Sequence, residues 1–573
     1  MLYKEKYNLW LNSNSVDEKT KFELKAIDEN EIKDRFYKDL DFGTGGLRGI
    51  IGAGTNRLNI YTIGKVTEGL SNYLTKKYKE NISIAIAYDS RHMSYEFSEF
   101  AARVFCGNNI KVYIFDTLTS TPILSYAVRE LNCKAGIVIT ASHNPKEYNG
   151  YKVYNESGVQ ITDKAAEEIL YHISLIKDFD DIKKISKNEA LNKGLLNYIG
   201  EDIYSSYLQK VKNVTIRKQL IKENSRELNI IYTPLHGAGN VPIRRLFKEL
   251  GYKNTFVVKD QEKPDGNFPT APYPNPENPK VFNIALELAK DINPDVILGT
   301  DPDCDRIGVM AKYHTGEYKL LTGNELGTLL SHYILTSLRE INEIPSNGVI
   351  IKTIVTTDMV KPIGEEFEVE ILEVLTGFKY IGELIEELKI KKFIFGFEES
   401  YGYLCGDFVR DKDGIIGAML VCEMALYYKT KGISLYEALT KLYEEYGYYK
   451  EELISLEFNG IEGVNKINNI MNSFRKDITR ISKYNVKEIE DYKLGFAKTL
   501  ENNSIKNISL PKSNVIKFIL EDGSWIVIRP SGTEPKIKIY ISARGNSLKS
   551  CEEKLGNLKQ YVMNKLEWIR DIS

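Results

Sequence analysis

The chain has few cysteines and no paired ones. Cys106, Cys133, Cys304, Cys405, Cys422 and Cys551 are scattered through 573 residues without a Cys-x-x-Cys motif. That spacing excludes a disulfide framework or a thiolate zinc site, and it reads as reduced, mostly buried thiols in a cytoplasmic protein. No apolar run approaches the roughly 20 residues needed to span a bilayer. The opening Met1-Leu2-Tyr3-Lys4-Glu5-Lys6 lacks the apolar core of a signal peptide. Net charge is nearly absent too: 77 basic against 79 acidic side chains leave −2. No global field recruits nucleic acid or an acidic membrane, nothing points to an obligate protein partner, and any anion site must be local.

What is present is a soluble globular composition, 42% hydrophobic and 27% charged, too long for one core and expected to divide into several domains. Residues 1–35 carry helical spacing. From Leu58 onward strands such as Ile82–Ala87 alternate with amphipathic helices such as Glu96–Gly107, which predicts parallel or mixed sheets covered by helices. Residues 264–279 hold six prolines and must form an irregular loop. The turn Pro234-Leu235-His236-Gly237-Ala238-Gly239 lacks both the Lys-Ser/Thr of a P-loop and the glycine spacing of a dinucleotide site, so it reads as structural.

Four strand-to-loop junctions carry chemistry. At Gly136–Pro145 an apolar strand ends in Thr140-Ala141-Ser142-His143-Asn144, placing a hydroxyl beside an imidazole where open α/β sheets bind ligands. The plainer alternative is a serine bonded only to its own backbone. Val296-Ile297-Leu298 feeds Asp301, Asp303 and Asp305, three carboxylates that are tolerable together when buried only around a hard cation such as Mg²⁺, Mn²⁺ or Ca²⁺; the plainer alternative is a solvated acidic turn. An EF-hand is excluded, because its glycine position holds Arg306 and its glutamate position Lys312. Phe393–Gly402 delivers Glu398, Glu399 and Ser400, suited to vicinal hydroxyls, although paired glutamates also cap helices. Ile526–Pro535 delivers Arg529, Ser531, Gly532 and Thr533, the inventory of a phosphate cradle or, more plainly, a turn with a surface arginine.

In this order Thr-Ala-Ser-His-Asn-Pro, Asp-Pro-Asp-x-Asp-Arg, Gly-x-Glu-x-Ser and Arg-Pro-Ser-Gly-Thr-Glu-Pro resemble the α-D-phosphohexomutase superfamily. Phe42–Gly49 and Thr376-Gly377-Phe378-Lys379-Tyr380-Ile381 look most like its bacterial α-phosphoglucomutase branch, which includes relatives acting on phosphopentoses. The resemblance implies a heart-shaped, four-domain architecture, three similar α/β mixed-sheet domains and a C-terminal α+β domain. The corresponding divisions are 1–205 with a phosphoserine loop, 206–320 with a metal loop, 321–450 with a sugar loop and 451–573 with a phosphate loop.

It further implies that Ser142 carries the phosphoryl group and joins Asp301, Asp303 and Asp305 around one Mg²⁺. Lys152 matches a position proposed for acid–base work, with a fixed phosphate-orienting charge as the alternative. Arg48, His143 and Lys352 match positions lining that site. Arg306, Lys352, Thr376, Gly377, Lys379, Glu398, Ser400, Arg529, Ser531, Gly532 and Thr533 would bind substrate. Small sugar phosphates are the implied partners and glucose 1,6-bisphosphate the implied activator. The expected reaction interconverts glucose 1-phosphate and glucose 6-phosphate, with phosphopentomutase or phosphomannomutase activity, and more remotely a metal-dependent sugar phosphatase, as alternatives. A non-catalytic binder would not need all four loops. One departure stands out: many relatives carry histidine where this chain has Gly402, so that contact is missing or supplied by another residue such as Tyr401 or Lys379.

Overall fold

A computed structural model describes residues 2–43, 45–458, 460–476, 478–531 and 536–572. Three of its sheets repeat one four-strand pattern. In the first unit the strands Ser83–Tyr88, Lys111–Phe115, Ala135–Ile139 and Tyr148–Asn155 follow in chain order. The second unit uses Ile230–Thr233, Thr255–Val257, Val296–Thr300 and Ile307–Lys312; the third uses Gly348–Thr353, Glu370–Val374, Lys392–Glu398 and Gly402–Cys405. Each time the spatial order is fourth, third, first, second. The first three strands run parallel and the fourth folds back antiparallel on the third. The loop between third and fourth strands therefore has one position in all three units. Each such loop contains a non-glycine residue with left-handed backbone, Ser142 (φ 51°), Cys304 (φ 53°) or Tyr401 (φ 64°), as is common where a functional loop turns sharply.

The central strands are buried on both faces because helices cover both sides. Ser83–Tyr88 divides its side chains with period two: Ile84, Ile86 and Tyr88 enter one core, Ala85 and Ala87 the other. The second of these cores runs without a break from the first unit into the third, through Tyr207, Leu246, Leu298, Leu329, Ile350 and Phe397. The fourth unit is different. Its antiparallel sheet runs Tyr448–Glu457, Lys536–Gly545, Trp525–Pro530, Ile516–Leu520, Tyr484–Asp491, Phe496–Thr499, Ile505–Asn507, with a separate core and the long helix Leu548–Ile572. It meets the third unit through a small cluster in which Tyr492, Val515, Trp525, Val527 and Tyr540 pack on Ile354, Val355 and Leu375.

The division expected after residue 205 falls inside the helix Glu201–Asn213. The one expected after 450 falls inside the strand Tyr448–Glu457, which pairs along its whole length with Lys536–Gly545. At the N-terminus the helices Tyr3–Asn12, Glu18–Lys25 and Glu29–Phe36 pack Trp10, Leu24 and Phe36 on Tyr61. All six cysteines are buried and unpaired. No helix among the described residues is long and apolar enough to cross a membrane.

Candidate active site

The serine loop is rigid before any ligand is considered. Thr140 Oγ1 accepts from Ser142 N at 2.8 Å and donates to Asp89 Oδ2 at 2.6 Å. The fully buried Arg91 guanidinium donates to the carbonyls of Ser142, Asn144, Pro145 and Tyr148, so one side chain clamps the whole turn. Arg91 carries no motif, and sequence reasoning missed it.

Ser142 Oγ donates to Asp301 Oδ2 at 2.6 Å and lies 3.1 Å from His143 Nδ1. The structure thus joins the first and second junctions. Burial, reinforced by Arg306 and Arg48, holds His143 well below its usual range, so its imidazole is neutral. Arg48 comes from the strand Gly46–Ile50, where it pairs with Gly150, and donates to Asn144 Oδ1 at 3.0 Å.

The aspartates are fully buried and converge, with one carboxylate oxygen of each within 4.8 Å of the others. Asp301 Oδ1 accepts from Asp305 N and Arg306 N, both at 3.1 Å. Asp303 Oδ2 accepts from Thr121 Oγ1 at 2.8 Å and Lys152 Nζ at 2.7 Å. Burial, then the Asp305 and Asp303 charges, push Asp301 well above the carboxylate range. Asp305 goes the other way: burial opposes its charge, but Lys152 and Lys412 hold it far below. Asp303 Oδ1 and Asp305 Oδ1 are buried without a hydrogen-bond partner. Crowded carboxylate oxygens, two of them buried without a hydrogen bond, fit a hard divalent cation. The turn at Pro234–Gly239 braces this loop: Ala238 N donates to Pro302 O at 2.8 Å, and a Cβ on Gly237 would lie 2.5 Å from Pro302 Cα. His236 is structural, its ring 3.0 Å from both Lys263 O and Thr270 Oγ1.

Lys152 bonds Asp303 Oδ2 and, at 3.0 Å, Asp305 Oδ2; although burial disfavours its charge, those carboxylates raise it further. In this arrangement its ammonium is held between two carboxylates. Lys412, which sequence reasoning also missed, reaches Asp305 Oδ2 at 2.9 Å from the third unit. Arg306 pairs with Glu277 of the proline-rich loop.

Glu398 ends its strand nearly buried, its carboxyl pushed up to about 7 by burial and by Glu399. Glu399 Oε2 accepts from Thr353 and Thr356 at 3.3 and 3.2 Å, and Ser400 is half-buried beside it. Gly377 takes a φ of 123° before the helix Phe378–Glu387, a backbone that favours glycine, and Thr376 Oγ1 is buried without a partner. Lys379 Nζ pairs with Asp163 of the first unit at 3.0 Å.

Arg529 lies directly across from Lys538 on neighbouring strands. Burial lowers both Lys379 and Lys538, and repulsion from Arg529 adds to each shift. Like charges held opposite one another are unfavourable alone, so this grouping is suited to an anion set between them. Lys538 is another residue sequence reasoning missed. Ser531 N closes the turn on Lys536 O at 2.7 Å. Gly532 and Thr533 lie outside the described residues.

Lys352, expected to line the serine site and to bind substrate, is fully buried, bonded to Asp358 at 2.9 Å, Glu373 at 2.7 Å and Thr356 O at 3.0 Å.

Comparison with known proteins agrees with this geometry. Domain families described as phosphoglucomutase/phosphomannomutase alpha/beta/alpha domains I, II and III match residues 39–178, 205–316 and 322–446, and the C-terminal domain of the same set matches 479–550. A phosphoglucomutase of Staphylococcus haemolyticus is 38% identical over 91% of this chain and 93% of its own. The chain belongs to the phosphoglucomutase/phosphomannomutase family.

A phosphoglucomutase of Staphylococcus aureus is likewise 38% identical, over 92% of this chain and 93% of its own. Among solved structures, a phosphoglucomutase of Paramecium in an open form shares the fold with a TM-score of 0.68 at 18% identity, covering 93% of this chain and 96% of that one. A putative phosphomannomutase of Thermus thermophilus does so with a TM-score of 0.67 at 19% identity, covering 91% and 99%. Within this family the chain's departure at Gly402 has a steric reason. A Cβ there would lie 2.6 Å from Lys412 Cδ, so the lysine stem occupies the space a larger side chain would need. Of the two residues expected to compensate, Tyr401 is buried and Lys379 pairs with Asp163.

Proposed function

We propose that the chain interconverts glucose 1-phosphate and glucose 6-phosphate, with Ser142 carrying the phosphoryl group and glucose 1,6-bisphosphate as intermediate and activator. The observation that carries this is the meeting of Ser142 Oγ, 2.6 Å from Asp301, with two further aspartates and two lysines, in a chain whose fourth unit sets Arg529 opposite Lys538. A phosphatase has no use for that second cationic group. A mutase does, because one phosphate must be held while the other reacts.

Asp301, Asp303 and Asp305 would hold Mg²⁺, which when bound supplies charge withdrawal from the transferring group. Lys152 and Lys412 place positive charge beside the serine oxygen and orient a phosphate there. Arg529, Lys538 and Lys379 grip the distal phosphate, and Ser531 with the motif residues Gly532 and Thr533 is assigned to binding the same group. Glu398 and Ser400 meet the ring hydroxyls, which look alike from both directions when the bisphosphate turns over. Arg48 and His143 border the serine, the neutral His143 as a hydrogen-bonding partner. Buried, unpaired thiols support a cytoplasmic setting.

The test compares kcat/KM for the 1-phosphates of glucose, mannose and ribose, with Mg²⁺ and with excess chelator, while free phosphate is measured alongside. Glucose is expected to lead. Inverting one hydroxyl that meets a buried carboxylate would cost about 1–3 kcal/mol, or about 5- to 150-fold. Faster turnover of ribose 1-phosphate would overturn the glucose assignment, full activity in chelator would overturn the metal, and stoichiometric phosphate release would overturn the mutase.

A further inference from the structure

Lys152 and Lys412 share one oxygen, Asp305 Oδ2, and reach it from different units. Two ammonium groups on one acceptor repel each other, so something must hold each in place. Lys152 has a second carboxylate in Asp303. Lys412 has Asp411, whose Oδ1 accepts from Lys412 N at 2.8 Å and from its Nζ at 3.4 Å.

Asp411 is itself fixed from the first unit. Tyr154 OH donates to Asp411 Oδ2 at 2.8 Å, and the Tyr154 ring is fully buried. Tyr154 follows Lys152 by two residues on the strand Tyr148–Asn155, so both side chains project from the same face. A ring of contacts therefore closes from Lys152 to Asp305, Lys412, Asp411 and Tyr154, returning to Lys152 along two residues of one strand. It joins all three α/β units at the reacting serine.

Asp411 is not needed to cap the helix that follows. Asp413 does that, accepting from Ile415 N and Ile416 N at 2.8 and 3.0 Å, and Tyr207 OH braces it at 2.6 Å. The Asp411 carboxylate is left to Tyr154 and Lys412. Burial, and then the Asp411 charge, keep the Tyr154 phenol protonated, as a donor must be.

We propose that Tyr154 and Asp411 are positioning residues for the reaction: the phenol orients the carboxylate, and the carboxylate holds the Lys412 ammonium beside Asp305. This rests on the mutase reading above. Neither residue touches substrate; both act through Lys412.

The experiment is a pair of double-mutant cycles, Tyr154→Phe with Lys412→Met and Asp411→Asn with Lys412→Met. It reads kcat and KM for glucose 1-phosphate at saturating glucose 1,6-bisphosphate, with thermal midpoints recorded in parallel. Each single change at 154 or 411 should lower kcat about 5- to 100-fold while KM moves less than about threefold. On the Lys412→Met background the same change should lower kcat by no more than about twofold, since its route of action is already gone. Wild-type kcat in Tyr154→Phe and Asp411→Asn would overturn the inference. Penalties that multiply in full with Lys412→Met would also overturn it, by showing a general structural effect. Tyr154→Phe keeps the ring that packs, and Asp411→Asn keeps the shape of the acceptor, so either variant alone decides the question if the other fails to fold. A wild-type enzyme without isomerase activity would remove the mutase reading itself, and the inference with it.

Discussion

Gly402→Ala would place a methyl carbon 2.6 Å from Lys412 Cδ, 3.4 Å from its Cγ and 3.2 Å from its Cβ. Carbon atoms rest about 3.5–4.0 Å apart, so the stem must withdraw by roughly 1 Å. The nearby Cβ is fixed to the backbone, which leaves rotation of the side chain as the only escape. Lys412 Nζ now sits 2.9 Å from Asp305 Oδ2, and a shift of that size carries it past the limit of about 3.2 Å for a good hydrogen bond. Losing one charge-assisted bond costs about 1.5–3 kcal/mol, equivalent to about 10- to 150-fold in kcat if Lys412 orients the transferring phosphate. Overpacking adds a separate stability loss of about 1–3 kcal/mol. Backbone strain does not enter, because Gly402 is not among the residues with left-handed backbone. A coupled assay of glucose 1-phosphate conversion, together with a denaturant melt, separates the two effects. Unchanged kcat in Gly402→Ala would refute the assignment of that space to Lys412. A histidine introduced there to match many relatives is expected to lower activity still further.

Ser142→Ala should abolish turnover and phosphoserine labelling at intact thermal stability; more than a few per cent of wild-type turnover would count against Ser142 as carrier. Lys517→Met should loosen the fourth unit, because the buried Lys517 donates to Ile354 O at 3.1 Å and its charge favours the ionised forms of Asp358 and Glu373. A loss of about 1–3 kcal/mol there should raise KM about 5- to 150-fold with a smaller change in kcat, and an unaltered KM would show that docking does not depend on it. Glu451, pushed up to about 7 by burial and by Glu325 and Asp358, gives a pH test. Its carboxyl is protonated in the folded chain but ionised in the unfolded one between about pH 4.5 and 7, so stability is higher below that window and falls as pH rises through it. Allowing for its partial exposure, about 1–2 kcal/mol should be lost by pH 8, and Glu451→Gln should flatten the profile; parallel wild-type and variant denaturation curves from pH 5 to 8 would refute this.

Much of the site was legible because its chemistry sits where a strand stops. An apolar run ending in small polar or acidic residues marks both the end of a buried strand and the residues it presents, and Ser142, Asp301 and Glu398 all have that signature. Strand–helix alternation likewise implied parallel or mixed sheets covered by helices. Residues whose role depends on what another unit places against them were not legible. Arg410-Asp411-Lys412-Asp413 matches none of the motifs singled out in the sequence, yet all four residues are buried and they contact the other two α/β units. Lys538 alternates with isoleucines as an outward-facing strand residue would, but its outward face is turned toward Glu399. Nor did the sequence announce that Asp358 and Glu373 hold the Lys352 ammonium from within its own unit.

These misses have a common origin in the repeated strand order. Because the fourth strand always folds back beside the third, each α/β unit offers one hairpin loop in the same place, and a local sequence can announce that loop. Which loops face one another is set instead by the core that runs unbroken through the three units. Such a core is assembled from apolar side chains far apart in the chain, which favour burial without naming a partner. The residues that read out the resulting geometry are therefore those that pair across it, such as Lys412 with Asp305 and Tyr154 with Asp411. Their charge and hydroxyl groups acquire a function only after packing has brought the units together, so a change that leaves every motif intact can still disable the site by shifting one loop against another.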